Sequence, residues 1–292
     1  MKKILYATDF SRNAEKAFHF ALKIAEKHHA ELIMLHVFDF PPVWGHPQIN
    51  YPVQTKKQAR ESWKSTLQEF FEQFISDLNP TFIAVENNSS VNGILSVIKK
   101  YKPDLVITGT RGKSLLKEIF VGSTTKALVE QSPVPVLAIP KNTEYRDFAI
   151  VLYASDFQEV DLKALEQLIE FVKPYKPDIK IVHVSTDNEY KSNQKMEWFK
   201  DLVKDNISYE NISFELLLSD RIFERLTNYV QNHELDMMVM LEKEHHGIIE
   251  KLFHEDLVWK MELNTSIPIL SYNAHYMQAT DEQDVKSDAI EH

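Results

Sequence analysis

Three glycines and two adjacent hydroxyls form the stretch of this chain best suited to hold a phosphate. Gly109-Thr110-Arg111-Gly112 is followed by nine residues, Lys113 to Val121, and then by Gly122-Ser123-Thr124. The first two glycines sit where an apolar run, Asp104 to Thr108, stops, and the third precedes a helical stretch, Lys126-Ala127-Leu128-Val129. Glycine tolerates φ > 0 and exposes bare backbone N–H groups, and concave runs of such groups make nests for anions. Ser123 and Thr124 lie where a helix N-terminus adds further donors and the positive end of its dipole. A glycine C-cap followed by a serine N-cap fits the same composition, so spacing must separate the two readings. The spacing is not that of a Walker A loop, because no Gly-Lys-Ser/Thr follows a four-residue spacer. Asp9 supplies a carboxylate suited to Mg²⁺ or a ribose hydroxyl; the competing role is a helix cap, for which Ser11 is a rival. Arg111 can pair with phosphate or point into solvent.

The elements that position these residues alternate. Ile4 to Thr8 reads as a buried strand ending at Asp9, and Ala14, Ala17, Phe18, Ala21, Leu22 and Ala25 recur at helical spacing. Strands are expected at 31–37, 81–86, 105–108 and 134–139. Helices are marked by Trp63, Leu67, Phe70, Phe71, Phe74 and Leu78, and by Val91, Ile94, Leu95 and Ile98. A proline- and aromatic-rich loop, Phe38 to Pro52, is a lid, a partner surface or a stiff connection. Nearly all-apolar strands alternating with helices predict a parallel sheet covered on both faces. Such sheets bind ligands at the carboxyl ends of strands where the winding reverses, which puts Asp9 and Gly109 on the ligand edge.

The pattern then repeats. Leu152-Tyr153-Ala154-Ser155-Asp156-Phe157 echoes Leu5-Tyr6-Ala7-Thr8-Asp9-Phe10, and Val182-His183-Val184 echoes Leu35-His36-Val37 at the same offset of 147 residues. Asp236 to Met240 echoes Asp104 to Thr108, and Ser266 to Leu270 echoes Pro133 to Leu137. Two tandem doubly wound units are expected, at 1–141 and 147–274, each a five-stranded parallel sheet with helices on both faces. Their terminal strands, 134–139 and 267–272, should pack together, since each would otherwise leave an exposed edge. The remainder, 275–292, is acidic and expected to be disordered. The second copy loses the glycines: Leu241, Glu244 or His245, Glu255 and Asp256 stand where Gly109, Gly112, Gly122 and Ser123 would be needed, with Gly247 available only in a shifted register. Its Glu and His residues read more readily as a drifted, solvated loop than as a metal site.

Composition sets the remaining bounds. The chain has 292 residues, no cysteine and a formal net charge of −10. Thiol chemistry and disulfides are excluded, nucleic acid and anionic membranes are disfavoured as partners, and a cytoplasmic location is expected. No apolar run approaches the length of about 18 residues that suggests a membrane span.

The G-x-x-G, nine-residue, G-S/T spacing resembles the ATP-binding signature of the universal stress protein family, and every position of that pattern is met. The resemblance implies ATP with Mg²⁺ as the ligand. It places Asp9 on the ribose and metal side together with Ala7 and Thr8, and the backbone of Val37 against adenine. It has Gly109, Thr110, Arg111 and Gly112 wrap ribose and phosphates, and Gly122, Ser123 and Thr124 hold the phosphate tail. It further implies halves that imitate the family dimer, with a homodimer of chains as an additional assembly. The function implied is that of a nucleotide-responsive stress or regulatory protein. A slow ATPase or autokinase and a nucleotide-independent interaction protein are the alternatives, and no catalytic residue is assigned.

Overall fold

The computed structural model describes residues 1–40, 55–72, 74, 78–110, 122–242 and 267–276. Arg111, Gly112, most of the 38–52 loop, Glu244, His245, Gly247, Glu255, Asp256 and the chain beyond Tyr276 lie outside the described residues. The first half runs β1 (Lys3–Thr8), α1 (Arg12–His28), β2 (Glu31–Phe38), α2 (Lys56–Glu72), β3 (Thr81–Glu86), α3 (Ser90–Tyr101), β4 (Leu105–Gly109), α4 (Ser123–Gln131) and β5 (Val136–Ile139). The second runs β6 (Ile150–Ala154), α5 (Glu159–Val172), β7 (Asp178–Ser185), α6 (Glu189–Asn206), β8 (Ile212–Leu218), α7 (Ile222–Asn232), β9 (Met237–Glu242) and β10 (Ile269–Asn273).

The described strands form one ten-stranded sheet in the order β3-β2-β1-β4-β5-β10-β9-β6-β7-β8. Within each half every pairing is parallel, and the halves meet where β10 runs antiparallel to β5, with Leu270 opposite Leu137. The second half thus repeats the first in reversed spatial order. Because that junction keeps the sheet continuous, α1, α2, α5 and α6 share one apolar layer, and α3, α4 and α7 cover the other face. The strands are apolar on both sides because both sides are covered.

The repeat extends to individual polar contacts. Asp104 accepts the backbone N–H of Lys3 at 2.8 Å, and Asp236 accepts those of Ala149 and Ile150 at 2.8 Å each. Each half therefore pins the start of its first strand to the start of its fourth.

The connection between the halves packs closely. Tyr145 meets Phe20 edge-on at 5.2 Å, Lys27 pairs with Asp147 at 2.8 Å, and the Arg146 guanidinium reaches the carbonyl of Leu235 at 2.7 Å. At the end of α1, His28 stacks on Phe171 of α5, with ring centres 5.6 Å apart and planes within 9°. Burial is the main cause that pushes the His28 imidazole down to about 4, assisted by the positive chain N-terminus. In the unfolded chain the ring titrates near 6.5. Between those values the unfolded state binds more protons, so stability should fall as pH drops from about 6.5 to about 4 and stay flat in this respect above it. The half-buried ring makes this worth about 1–2 kcal/mol after discounting for solvent screening. Urea melts at pH 7.5 and 4.5 should show His28→Phe losing less stability on acidification than the parent; equal losses would refute the assignment.

Candidate nucleotide site at the carboxyl edge of the first half

The winding of the first half reverses between β1 and β4, whose neighbouring residues include Ala7 and Thr108. β1 stops because the chain turns sharply. Phe10 adopts a left-handed conformation with φ 59° and donates its N–H to Thr8 Oγ1 at 3.1 Å. Asp9 Oδ1 accepts Ser11 N–H at 3.0 Å, and Ser11 Oγ caps α1 by accepting Ala14 N–H at 3.2 Å. The rivalry between Asp9 and Ser11 is thereby settled: Ser11 is the helix cap, and Asp9 is held one turn earlier by an Asx-type bond. The carboxylate is fixed at the sheet edge, at the reversal point. Ala7 is buried in the sheet, and Thr8 spends its hydroxyl on the turn and its carbonyl on His36 Nδ1 at 2.8 Å.

The two ends of the glycine stretch come together. Thr110, buried, donates its N–H to Ile139 at 3.0 Å and accepts Gly122 N–H at 2.6 Å. Thr125 Oγ1 donates to the carbonyl of Gly109 at 3.0 Å. Gly122 is the N-cap residue of α4 with φ −55° and ψ 136°, and among the described residues no side chain caps that helix. Its first turn also lacks an acidic residue. The exposed Ser123 and half-buried Thr124 therefore begin a helix whose leading N–H groups and dipole have no side-chain cap among the described residues, an arrangement suited to an anion.

At the described glycines the backbone is not left-handed. Among the described residues no glycine has positive φ. Gly109 is needed for close approach: a Cβ there would stand 3.1 Å from the carbonyl oxygen of Asn13 in the first turn of α1. Gly93, which the sequence reading passed over, is tighter still. A Cβ on it would lie 2.5 Å from Val37 Cγ1, so the Val37 side chain packs onto α3 beside the end of β2. A lone glycine inside a helical stretch was the available signal.

His36 was visible only as part of the repeat. Its Nδ1 must carry the proton to donate to the Thr8 carbonyl, and its ring sits 4.7 Å from both Phe10 and Trp63. The second half copies the arrangement: Phe157 has φ 53°, and His183 Nδ1 meets the Ser155 carbonyl at 2.8 Å. Burial pushes the His183 imidazole below its ordinary value.

The second half departs at the next shell. Asp161, at the place of Ala14, is 1% exposed. Its carboxylate accepts Ser155 Oγ at 3.0 Å, the N–H groups of Asp156 and Gln158 at 3.2 and 3.0 Å, and Tyr153 OH at 3.2 Å. Where Gly109 admits α1, the second half has Leu241, buried in the core layer. The edge that is open to backbone donors in the first half is closed by side chains in the second. Among the described residues no three His, Asp or Glu side chains cluster as metal ligands, and no helix is long and apolar enough to cross a membrane.

Comparison with known proteins agrees with this architecture. Residues 1–140 match the sequence profile of the Universal stress protein family. A universal stress protein from Methanocaldococcus jannaschii is 28% identical over 154 residues, covering 48% of this chain and 95% of that protein. A putative one from Staphylococcus saprophyticus is 25% identical over 171 residues, covering 54% and 94%. Among solved structures, a universal stress protein from Archaeoglobus fulgidus superposes over 93% of this chain and 96% of its own with a TM-score of 0.64 at 17% identity. A putative universal stress protein from Pseudomonas aeruginosa covers 97% of both chains at 0.63 and 13% identity. Those two likenesses establish the fold across both halves, and the matched segment carries the glycine-and-hydroxyl stretch. Through residues 1–140, which match that family's model, the chain is similar to the universal stress proteins.

Proposed function

We propose that this chain is a nucleotide-responsive stress protein that binds one adenine nucleotide, ATP with Mg²⁺, in its first half. The observation that carries the reading is the α4 N-terminus, which has no side-chain cap among the described residues and is tied to the end of β4 by the Gly122–Thr110 bond, beside the strand-order reversal that holds Asp9. The phosphate tail would take the donors of Ser123 and Thr124, with Gly122, whose N–H is held by the Thr110 carbonyl, giving it room to approach, and with Arg111 and Gly112 contributing from the intervening segment. The backbone near Val37 would face adenine. Asp9 would contribute one carboxylate to Mg²⁺, which usually completes its shell with phosphates and water. The units 1–141 and 147–274 would act as an internal pair joined at β5 and β10, within a cytoplasmic protein. Calorimetric titration of the full chain with Mg-ATP, together with mass spectrometry of any nucleotide that copurifies, tests this; no heat and no nucleotide would overturn it.

Turnover should be far below the usual enzyme range of about 1–1000 per second. Asp9 Oδ1 is engaged by Ser11 and His36 Nδ1 by Thr8, which leaves a thin set for positioning a water or hydroxyl against a γ-phosphate. Phosphate release above about one per second, abolished by Asp9→Ala, would establish an ATPase instead.

A further inference from the structure

After its last strand the chain crosses from the second half onto the first. The Asn273 side-chain amide donates to the carbonyl of Glu130 in the last turn of α4 at 2.8 Å, and residues 274–276 make a short helical turn. His275 and Tyr276, assigned by composition to the disordered remainder, thus belong to this turn, in which His275 donates its N–H to Asn273 Oδ1 at 3.0 Å. Tyr276 lines a cleft of about 480 Å³ between the C-terminal ends of α3 and α4, opposite the nucleotide edge, with Leu95, Ile98 and Val134 contributing its apolar surface and Lys99 and Lys102 its charge. Both lysines are exposed, and among the described residues neither is ion-paired.

We infer that this cleft is the docking site of the chain's own C-terminal segment, residues 277–292. Sixteen residues follow Tyr276, starting at the cleft itself. A short tether of this kind gives an effective concentration on the order of millimolar, so weak contacts suffice. The segment carries Asp281, Glu282, Asp284, Asp288 and Glu291 against one lysine, Lys286. In a protein of net charge −10, most of the surface repels such a segment. Lys99, Lys100 and Lys102 form a local cationic group, and their charge exceeds the roughly half negative charge at the end of α3. Met277 provides an apolar side chain at the point where the segment leaves Tyr276. Docking makes the C-terminus a strap that clips the second half to the first.

The chain has no cysteine, so engineered pairs report without background. In the full chain, Gln131→Cys with Thr280→Cys should cross-link under mild oxidation at least tenfold faster than Glu69→Cys with Thr280→Cys, which places the partner on the exposed face of α2. Lys99→Glu with Lys102→Glu should abolish the preference, and Asp281→Lys with Glu282→Lys in the same chain should restore it. Equal rates for the two pairs, or a preference indifferent to charge reversal, would overturn the inference. So would a copurifying anionic amphiphile, found by native mass spectrometry, in a chain without the cross-linking preference.

Discussion

Replacing Asp161 with alanine should destabilise the protein by about 3–5 kcal/mol, because four neutral donors lose their shared acceptor. The side chain is 1% exposed and holds two backbone N–H groups and two hydroxyls at 3.0–3.2 Å. Each donor left without an acceptor in the interior costs about 1–3 kcal/mol. Tyr153 OH has an alternative in the Asp161 carbonyl at 3.4 Å, and Tyr153 is fully buried. Water can reach the partly exposed Asp156 and Gln158, which keeps the total below the simple sum. Asp161→Asn should cost far less, because one carbonyl oxygen can serve the Oδ2 position shared by Ser155, Asp156 and Gln158 while Tyr153 OH turns to accept from the amide. Urea denaturation of both variants checks the ordering. An alanine variant within about 1 kcal/mol of the parent would mean that the buried network does not hold the β6–α5 turn.

Asp161 also shows where sequence reading stops. In one dimension it is an acidic residue in the first turn of a helix, an unremarkable place for a carboxylate. Its role depends on four donors drawn from the strand end and the following turn, and one of them, Tyr153, lies eight residues away. The alternation of strands and helices, the repeat at 147 residues and the location of Asp9 and Gly109 were all legible, because they rest on apolar periodicity and on the rule that strand ends at a reversal bind ligands. The reason for Gly109 was not legible: composition suggests a positive φ, whereas the backbone needs only room for Asn13. Helix α2 begins at Lys56 and ends at Glu72, earlier at both ends than its aromatic markers indicate, because Phe74 packs on the core from beyond the helix end. The stretch between the two expected units is a packed junction in three dimensions, held by Tyr145, Arg146 and the neighbouring Asp147. The β5–β10 junction followed from a local fact, that two short apolar edges need covering.

Gly122→Glu should weaken Mg-ATP binding by about a thousandfold while leaving the fold intact. The backbone of Gly122, φ −55° and ψ 136°, is open to any L-residue, so no strain is introduced at the N-cap. A glutamate at the start of α4 would interact favourably with the helix dipole, so the melting temperature should stay level or rise slightly. Its carboxylate would compete with phosphate for the N–H groups of Ser123 and Thr124 and repel what it did not displace. A charge about 4 Å from a phosphate costs about 4 kcal/mol at an effective dielectric of 20, close to three decades of affinity. The same substitution counts sites. The second half has Leu241 at the Gly109 position and a carboxylate, Asp161, already accepting the N–H groups of Asp156 and Gln158 between β6 and α5. Glu255 and Asp256 stand in its sequence where Gly122 and Ser123 do in the first half. Titration at near-saturating protein should give one nucleotide per parent chain and none per Gly122→Glu chain. Two sites in the parent, or one site that survives the variant, would place a nucleotide in the second half. Unchanged affinity in a folded variant would remove α4 from the phosphate site altogether.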